Sequence, residues 1–321
     1  KAYLAAAQEY GIPISEDYNG VNMEGACVYQ ITTQDGYRCS TASAYLQSSS
    51  KKKINLNILT NTQVTRIIFE DKRAIGIECL HKGKAKRFYA HKEIIVSAGS
   101  IQSPHLLQLS GVGPARLLRN HGVGVVIDSP SVGRHLKDHL GIDFTLSVNT
   151  PSLNQNLRPL MGKVKLGFEY LINKTGALSM SLNQGGGFVK SDQKLSFPDL
   201  QLYFSPLSYS KAPKGTRPLM SPDPFPAVRL GFNPCKPTSE GVVELNSSDP
   251  LVPPKMIGNY LDSQYDQEIM LRGIRLIRDL IGMPSFQDVL RDEISPGKQV
   301  RSDSELRHFV SQNADTVYHQ C

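Results

Sequence analysis

Two stretches of this sequence hold residues whose types and spacing could do chemistry. The first is Ser97-Ala98-Gly99-Ser100-Ile101-Gln102-Ser103-Pro104, running on to Leu109-Ser110-Gly111-Val112-Gly113-Pro114. It predicts a strand over 93–97 that turns on small residues into a helix. Pro104 would sit in that helix's first turn, Ser103 would cap its free amides, and Gly111 and Gly113 would stop it. Strand, glycine turn and helix is the geometry in which backbone can approach a nucleotide closely, although an ordinary structural turn asks for the same residues. The second stretch is Asp315-Thr316-Val317-Tyr318-His319. Imidazole can take up a proton near neutral pH, but taken alone this histidine reads as exposed.

The other candidates carry less. His139 follows Asp138, yet no set of partners accompanies it for metal or acid–base work, so a structural role is expected. His81, His91, His105, His121 and His308 are expected on the surface or in helices. Asn183 and Gln184 either line a substrate cavity or form a turn. Nucleophile elbow, P-loop and zinc spacing are all missing, so no metal site is expected. The five cysteines form no CxxC pair and read as structural thiols or one disulfide, which leaves the compartment open. A net charge of +7 is spread along the chain, and Lys51-Lys52-Lys53 and Lys82–Arg87 read as solvated turns. Neither nucleic-acid nor membrane-surface binding is expected from charge alone. No apolar run reaches the ~20 residues of a membrane span.

The positioning elements follow from periodicity. Helices are expected over 1–10, 38–49, with Ser40 or Thr41 as cap, and 115–121. Two more are expected over 265–281 and 302–310, the last with a Ser302/Glu305 capping box. Strands are expected over 25–33, 55–59, 64–69, 74–81, 84–90, 93–96 and 123–127. After Thr150, Ser and Pro rise, and antiparallel strands over 198–205, 227–233 and 241–246 mark a second domain.

The first stretch also resembles a known signature. Gly99-Ser100-x-x-Ser103-Pro104-x-Leu106-Leu107-x-x-Ser110-Gly111-Val112-Gly113 is similar, position for position, to the second signature of the glucose–methanol–choline (GMC) oxidoreductases. Tyr37-Arg38-x-Ser40-x-Ala42-Ser43-Ala44-Tyr45-Leu46, Asn55–Thr60 and Gly133-Arg134-His135-Leu136-Lys137-Asp138-His139 extend the likeness. The resemblance implies a mixed α/β and α+β fold: an FAD-binding Rossmann-like domain, incomplete here, interrupted by an antiparallel-sheet substrate domain. The expected segments are 1–36 (link), 37–145 (FAD domain), 146–309 (substrate domain) and 310–321 (start of a final FAD-domain segment).

The resemblance further implies FAD-dependent oxidation of an alcohol, choline dehydrogenase activity among its forms, with oxygen or a quinone-type acceptor taking the electrons. His319 would be the base. Val64 would meet the adenine through its backbone, in the register Leu59-Thr60-x-x-x-Val64-x-Arg66-Ile67, and Ser97, Ala98 and Gly99 would skirt the adenosine. The alternatives are an FAD-containing hydroxynitrile lyase and a non-catalytic binding protein of the same fold. The overall likeness leans towards insect members of the glucose dehydrogenase or ecdysone oxidase type. There are departures. The family's GxGxxG is absent, His135 stands where relatives have Asn, and Gln320 where many have Pro. The absence of GxGxxG, with the opening inside a helix, leads to the expectation of a fragment that neither holds FAD well nor turns over alone.

Overall fold

The computed structural model describes residues 1–47, 55–209 and 221–318. The chain divides into two compact units. One comprises 1–52, 139–237 and 264–319; the other comprises 53–138, 238–263 and 320–321. The crossing points differ from the expected segments: the first unit resumes at His139 rather than 146, and 238–263 returns to the second unit.

The first unit is built on an antiparallel sheet. It starts from α1 (Ala2–Glu9), β1 (Gly25–Val28) and a small hairpin, β2 (Thr33–Gln34) with β3 (Tyr37–Arg38). Its other strands are β9 (Leu140–Val148), β10 (Gly185–Val189), β11 (Leu200–Ser205), β12 (Ala227–Pro234), β15 (Leu290–Ser295) and β16 (Asp315–Thr316). The order is β1-β10-β11-β12-β9-β15, with β16 paired to the start of β9. Alternation in β9 puts Ile142, Phe144, Leu146 and Val148 on one buried face, joined by Leu230 and Phe232 of β12 and Leu200 and Leu202 of β11.

Helix α6 (Gln264–Ile281) covers that face with Ile269, Ile274, Ile277 and Leu280, all buried at helical spacing. Arg278 of α6 reaches Glu293 of β15 at 2.8 Å, and the glutamate side chain is only 4% exposed. The unit also holds α4 (Leu153–Leu157), α5 (Leu160–Asn173), α7 (Pro284–Gln287) and α8 (Asp303–Asn313), which starts on the expected Ser302/Glu305 capping box.

In the second unit β4 (Thr62–Glu70), β5 (Arg73–His81) and β6 (Lys84–Tyr89) form the expected meander. Helix α2 (Gly99–Leu109) packs on β4. Then come β7 (Val112–Gly113), α3 (Ala115–Asn120), β8 (Ile127–Asp128) and the pair β13 (Val242–Glu244) and β14 (Lys255–Ile257). Leu109, Leu118, Val123 and Leu245 make its small core.

Several expectations need correction. Residues 93–97 and 55–59 form no strand: no described strand lies alongside to share a ladder, and Ile95 is 79% exposed. Helix α2 begins at Gly99, so Pro104 lies inside it rather than in its first turn. Of the expected 123–127 strand only Ile127 lies in β8, and the described part of the expected 38–49 helix forms a π-helical turn over Ala42–Gln47, residues 48–49 lying outside the described residues. Ser40 caps that turn as expected, its Oγ accepting from Ser43 N–H at 3.2 Å. Helix α5 was not anticipated, because its apolar side chains do not face a core.

Candidate active site

In the second unit, the turn from Ser97 to Gly99 opens α2. Gly99 has φ +81°, and a Cβ there would meet nothing within 4 Å. Conformation, not crowding, therefore asks for glycine, and the space above the backbone stays open. Ser97 and Ala98 are exposed, and the Ala98 N–H donates to Ser103 Oγ at 3.1 Å, so Ser103 does satisfy an amide at the helix start.

Ser110, fully buried, holds α2 to β4. Its Oγ accepts from the Ile67 N–H at 2.8 Å and donates to the Leu106 carbonyl at 2.6 Å. β4 is the outer strand of its sheet, and its register with β5 shifts between Val64 and Arg66, leaving Thr65 outside the ladder. Val64 is half-buried. An outer strand with a bulge has backbone groups to offer a ligand rather than a neighbouring strand. The structure thus brings Val64, Ser97, Ala98 and Gly99 into one unit, on the two elements that Ser110 ties together.

Ser100 and Pro104 also line a cavity of about 390 Å³ with Gly133, Arg134, His135 and Leu136. The charges beside it are paired. Arg134 meets Glu244 at 3.0 Å, and Glu240 bridges His135 and Lys137, contacts that hold its carboxyl below the usual range. His135 is an exposed partner in this clasp.

The first unit carries a contrasting face. Opposite the buried side of the sheet, Gly186, Tyr203, Gly231 and Asp143 lie in one row across β10, β11, β12 and β9. A Cβ on Gly231 would run into the Tyr203 ring, and one on Gly186 into Tyr29. The glycines therefore let two tyrosines lie flat on the sheet. Burial pushes both phenols up, with the Asp143 carboxylate adding to the effect at Tyr203. Arg229 pairs with Asp143 at 3.1 Å, donates to the Tyr209 carbonyl at 2.6 Å and stacks on the Tyr209 ring. Sequence reasoning missed these residues; glycines inside the strands, Gly186 and Gly231, were the available signal.

The terminal segment is fixed at this face. β16 pairs with Gly141 and Leu140, and the Val317 N–H donates to the His139 carbonyl at 3.1 Å. His139 is itself held through Nε2 by the Cys235 carbonyl at 3.0 Å. That is the structural part expected of the Asp-His pair. His319, expected to be the base, lies outside the described residues; Tyr318, just before it, is 84% exposed with φ +61°. Gln184 continues β10, its N–H donating to the Phe204 carbonyl at 3.0 Å, rather than forming a turn.

A flavin nucleotide fits what is present: small exposed side chains, a left-handed glycine with open space above it, and a bulged outer strand. Among the described residues no group of three His, Cys, Asp or Glu could hold a metal ion, and no helix is long and apolar enough to cross a membrane.

Comparison with known proteins agrees with this geometry. Models of the GMC oxidoreductase family match residues 1–141 and 237–321. The oxygen-dependent choline dehydrogenase of Vibrio vulnificus is 34% identical over 319 residues, 99% of this chain and 56% of that protein. Human mitochondrial choline dehydrogenase is 34% identical over 321 residues, 99% of this chain and 52% of that protein. The crystal structure of formate oxidase superimposes with TM-score 0.88 at 25% identity, covering 99% of this chain and 59% of that one. This chain spans about half the length of these relatives. The leaning towards insect-type members finds no support among them.

Proposed function

The chain belongs to the GMC oxidoreductase family, and from that premise we propose that it forms the adenosine-binding edge and the substrate wall of an FAD-dependent alcohol oxidoreductase. Bound FAD would supply the two-electron acceptor for a hydride leaving the alcohol carbon. The chain's own residues do the rest. The backbone at Val64 and the turn Ser97-Ala98-Gly99 hold the adenosine end, where small side chains permit close approach. His319 takes the hydroxyl proton on an imidazole nitrogen, so that the C–O bond can become a carbonyl as the hydride departs. The sheet face of Tyr29, Tyr203 and the Arg229–Asp143 pair bounds the alcohol. The relatives' names favour a choline-type amino alcohol over the substrates of insect members, with oxygen or a quinone-type acceptor reoxidising the flavin.

The observation that carries this reading is the open, left-handed Gly99 turn fastened to a bulged outer strand by Ser110. The test is anaerobic mixing of the flavin-loaded protein that carries these residues with a panel of alcohols including choline. Loss of the oxidised flavin's visible absorbance with matching carbonyl product supports the proposal. Carbonyl formed with no change in flavin, or no reaction with any alcohol, overturns it.

A further inference from the structure

Among the described residues of its unit, nothing covers the apolar side of helix α5. Leu160, Met161, Val164, Phe168, Leu171 and Ile172 are each 57–78% exposed, and the helix buries no residue fully. At 100° per residue these six fall within one arc of about 120°. The opposite side does the packing: Tyr170 donates to the Gly36 carbonyl at 3.1 Å, and Glu169 is tucked against Gly176. Lys163 and Lys165, both exposed, flank the apolar arc on either side, and neither is in an ion pair among the described residues. The one acid of the helix thus lies away from the stripe while two cations border it.

We propose that α5 is a docking helix for an anionic lipid surface, lying in the plane of the headgroups with Phe168 and its neighbours among the upper acyl chains. Size argues against a second protein copy. From residue 160 to 172 the stripe is about 18 Å long and one helix wide, well short of the roughly 800 Å² per partner that a stable dimer buries. A bilayer asks for no such area. It takes an amphipathic helix to a depth of about 5–10 Å, and flanking lysines reach the phosphates while their stems cover apolar surface. At 14 residues the helix is too short to span. The chain's net charge of +7 favours the same surface, although charge alone gave no sign of this helix.

The test is co-sedimentation of the full protein that carries these residues with vesicles of phosphatidylcholine, with and without phosphatidylglycerol, at low and high salt. The protein is expected to sediment with the anionic vesicles and to be released by salt. Phe168→Asp with Leu171→Asp should weaken binding by more than about tenfold. Lys163→Glu with Lys165→Glu should weaken it at least about fivefold per charge for anionic vesicles only. All substituted side chains are exposed, and unchanged circular dichroism confirms the fold. Three outcomes overturn the proposal: no sedimentation with anionic vesicles, equal binding by the aspartate variant, or a dimer in light scattering that the aspartate variant abolishes.

Discussion

At the scale of residues, a fixed position of the signature around Gly99, Ser110, and an unspecified one, Gln108, both serve packing. Ser110 answers the Ile67 amide, and Gln108 Nε2, fully buried, donates to the Val132 and Val243 carbonyls at 3.2 and 3.0 Å. Replacing Ser110 with Ala orphans a buried N–H, so a loss of about 1–3 kcal/mol is expected in urea unfolding; an unchanged midpoint would place that amide elsewhere. Burial also silences two thiols: Cys27 is pushed up to about 11 and Cys235, beside Asp199, to about 12. In the native chain at pH 8 both should react with a disulfide reagent far more slowly than the half-buried Cys39. Rapid reaction of all three would show that buried Cys27 opens readily and that half-buried Cys235 reaches its thiolate as easily as Cys39 does.

Elements were legible where periodicity met a core. α6, β4 and β5 fall within a residue or two of their sequence reading, because residues of their apolar faces are the ones the fold buries; β6, exposed along its length, was legible from its place in the meander. Residues 93–97 give a strand pattern through their β-branched side chains, but no described strand lies alongside to complete a ladder. Helix α5 was missed for the opposite reason, its apolar face being turned outward. The sheet face proposed as the substrate wall was illegible because its message lies in two glycines, Gly186 and Gly231, on strands far apart in sequence.

Two substitutions probe how α6 is held. A Cβ at Gly273 would overlap the Phe232 ring, so Gly273→Val should cost about 1–3 kcal/mol or more. Removing Arg278 would strand the buried Glu293 carboxylate at a cost of about 3–5 kcal/mol. Both are read as shifts of the urea midpoint, and a shift below about 0.5 kcal/mol in either would mean that α6 sits on the sheet less tightly than described.

At the scale of the whole molecule, acid should loosen the fold partly through His105. It is 3% exposed, its Nε2 has no partner among the described residues, and burial lowers its pKa. The unfolded imidazole titrates near about 6.5. Below that pH the unfolded chain takes a proton that the folded one refuses, so stability is fully present above 6.5 and is lost as pH falls through the lower folded value. Midpoints of thermal unfolding between pH 7.5 and 5 should fall, and His105→Gln should flatten part of that slope; an identical slope in the variant would assign the effect to other groups.

The most direct test of the account concerns His319 as the group that takes the alcohol's proton. In anaerobic flavin reduction by alcohol, followed from pH 5 to 9 in the protein that carries these residues, the rate should rise as the imidazole loses its proton. His319→Gln should be slower by about 10²–10⁴-fold and should lose that pH dependence. A variant that reduces flavin as fast as the unmodified protein, along the same pH profile, would contradict it.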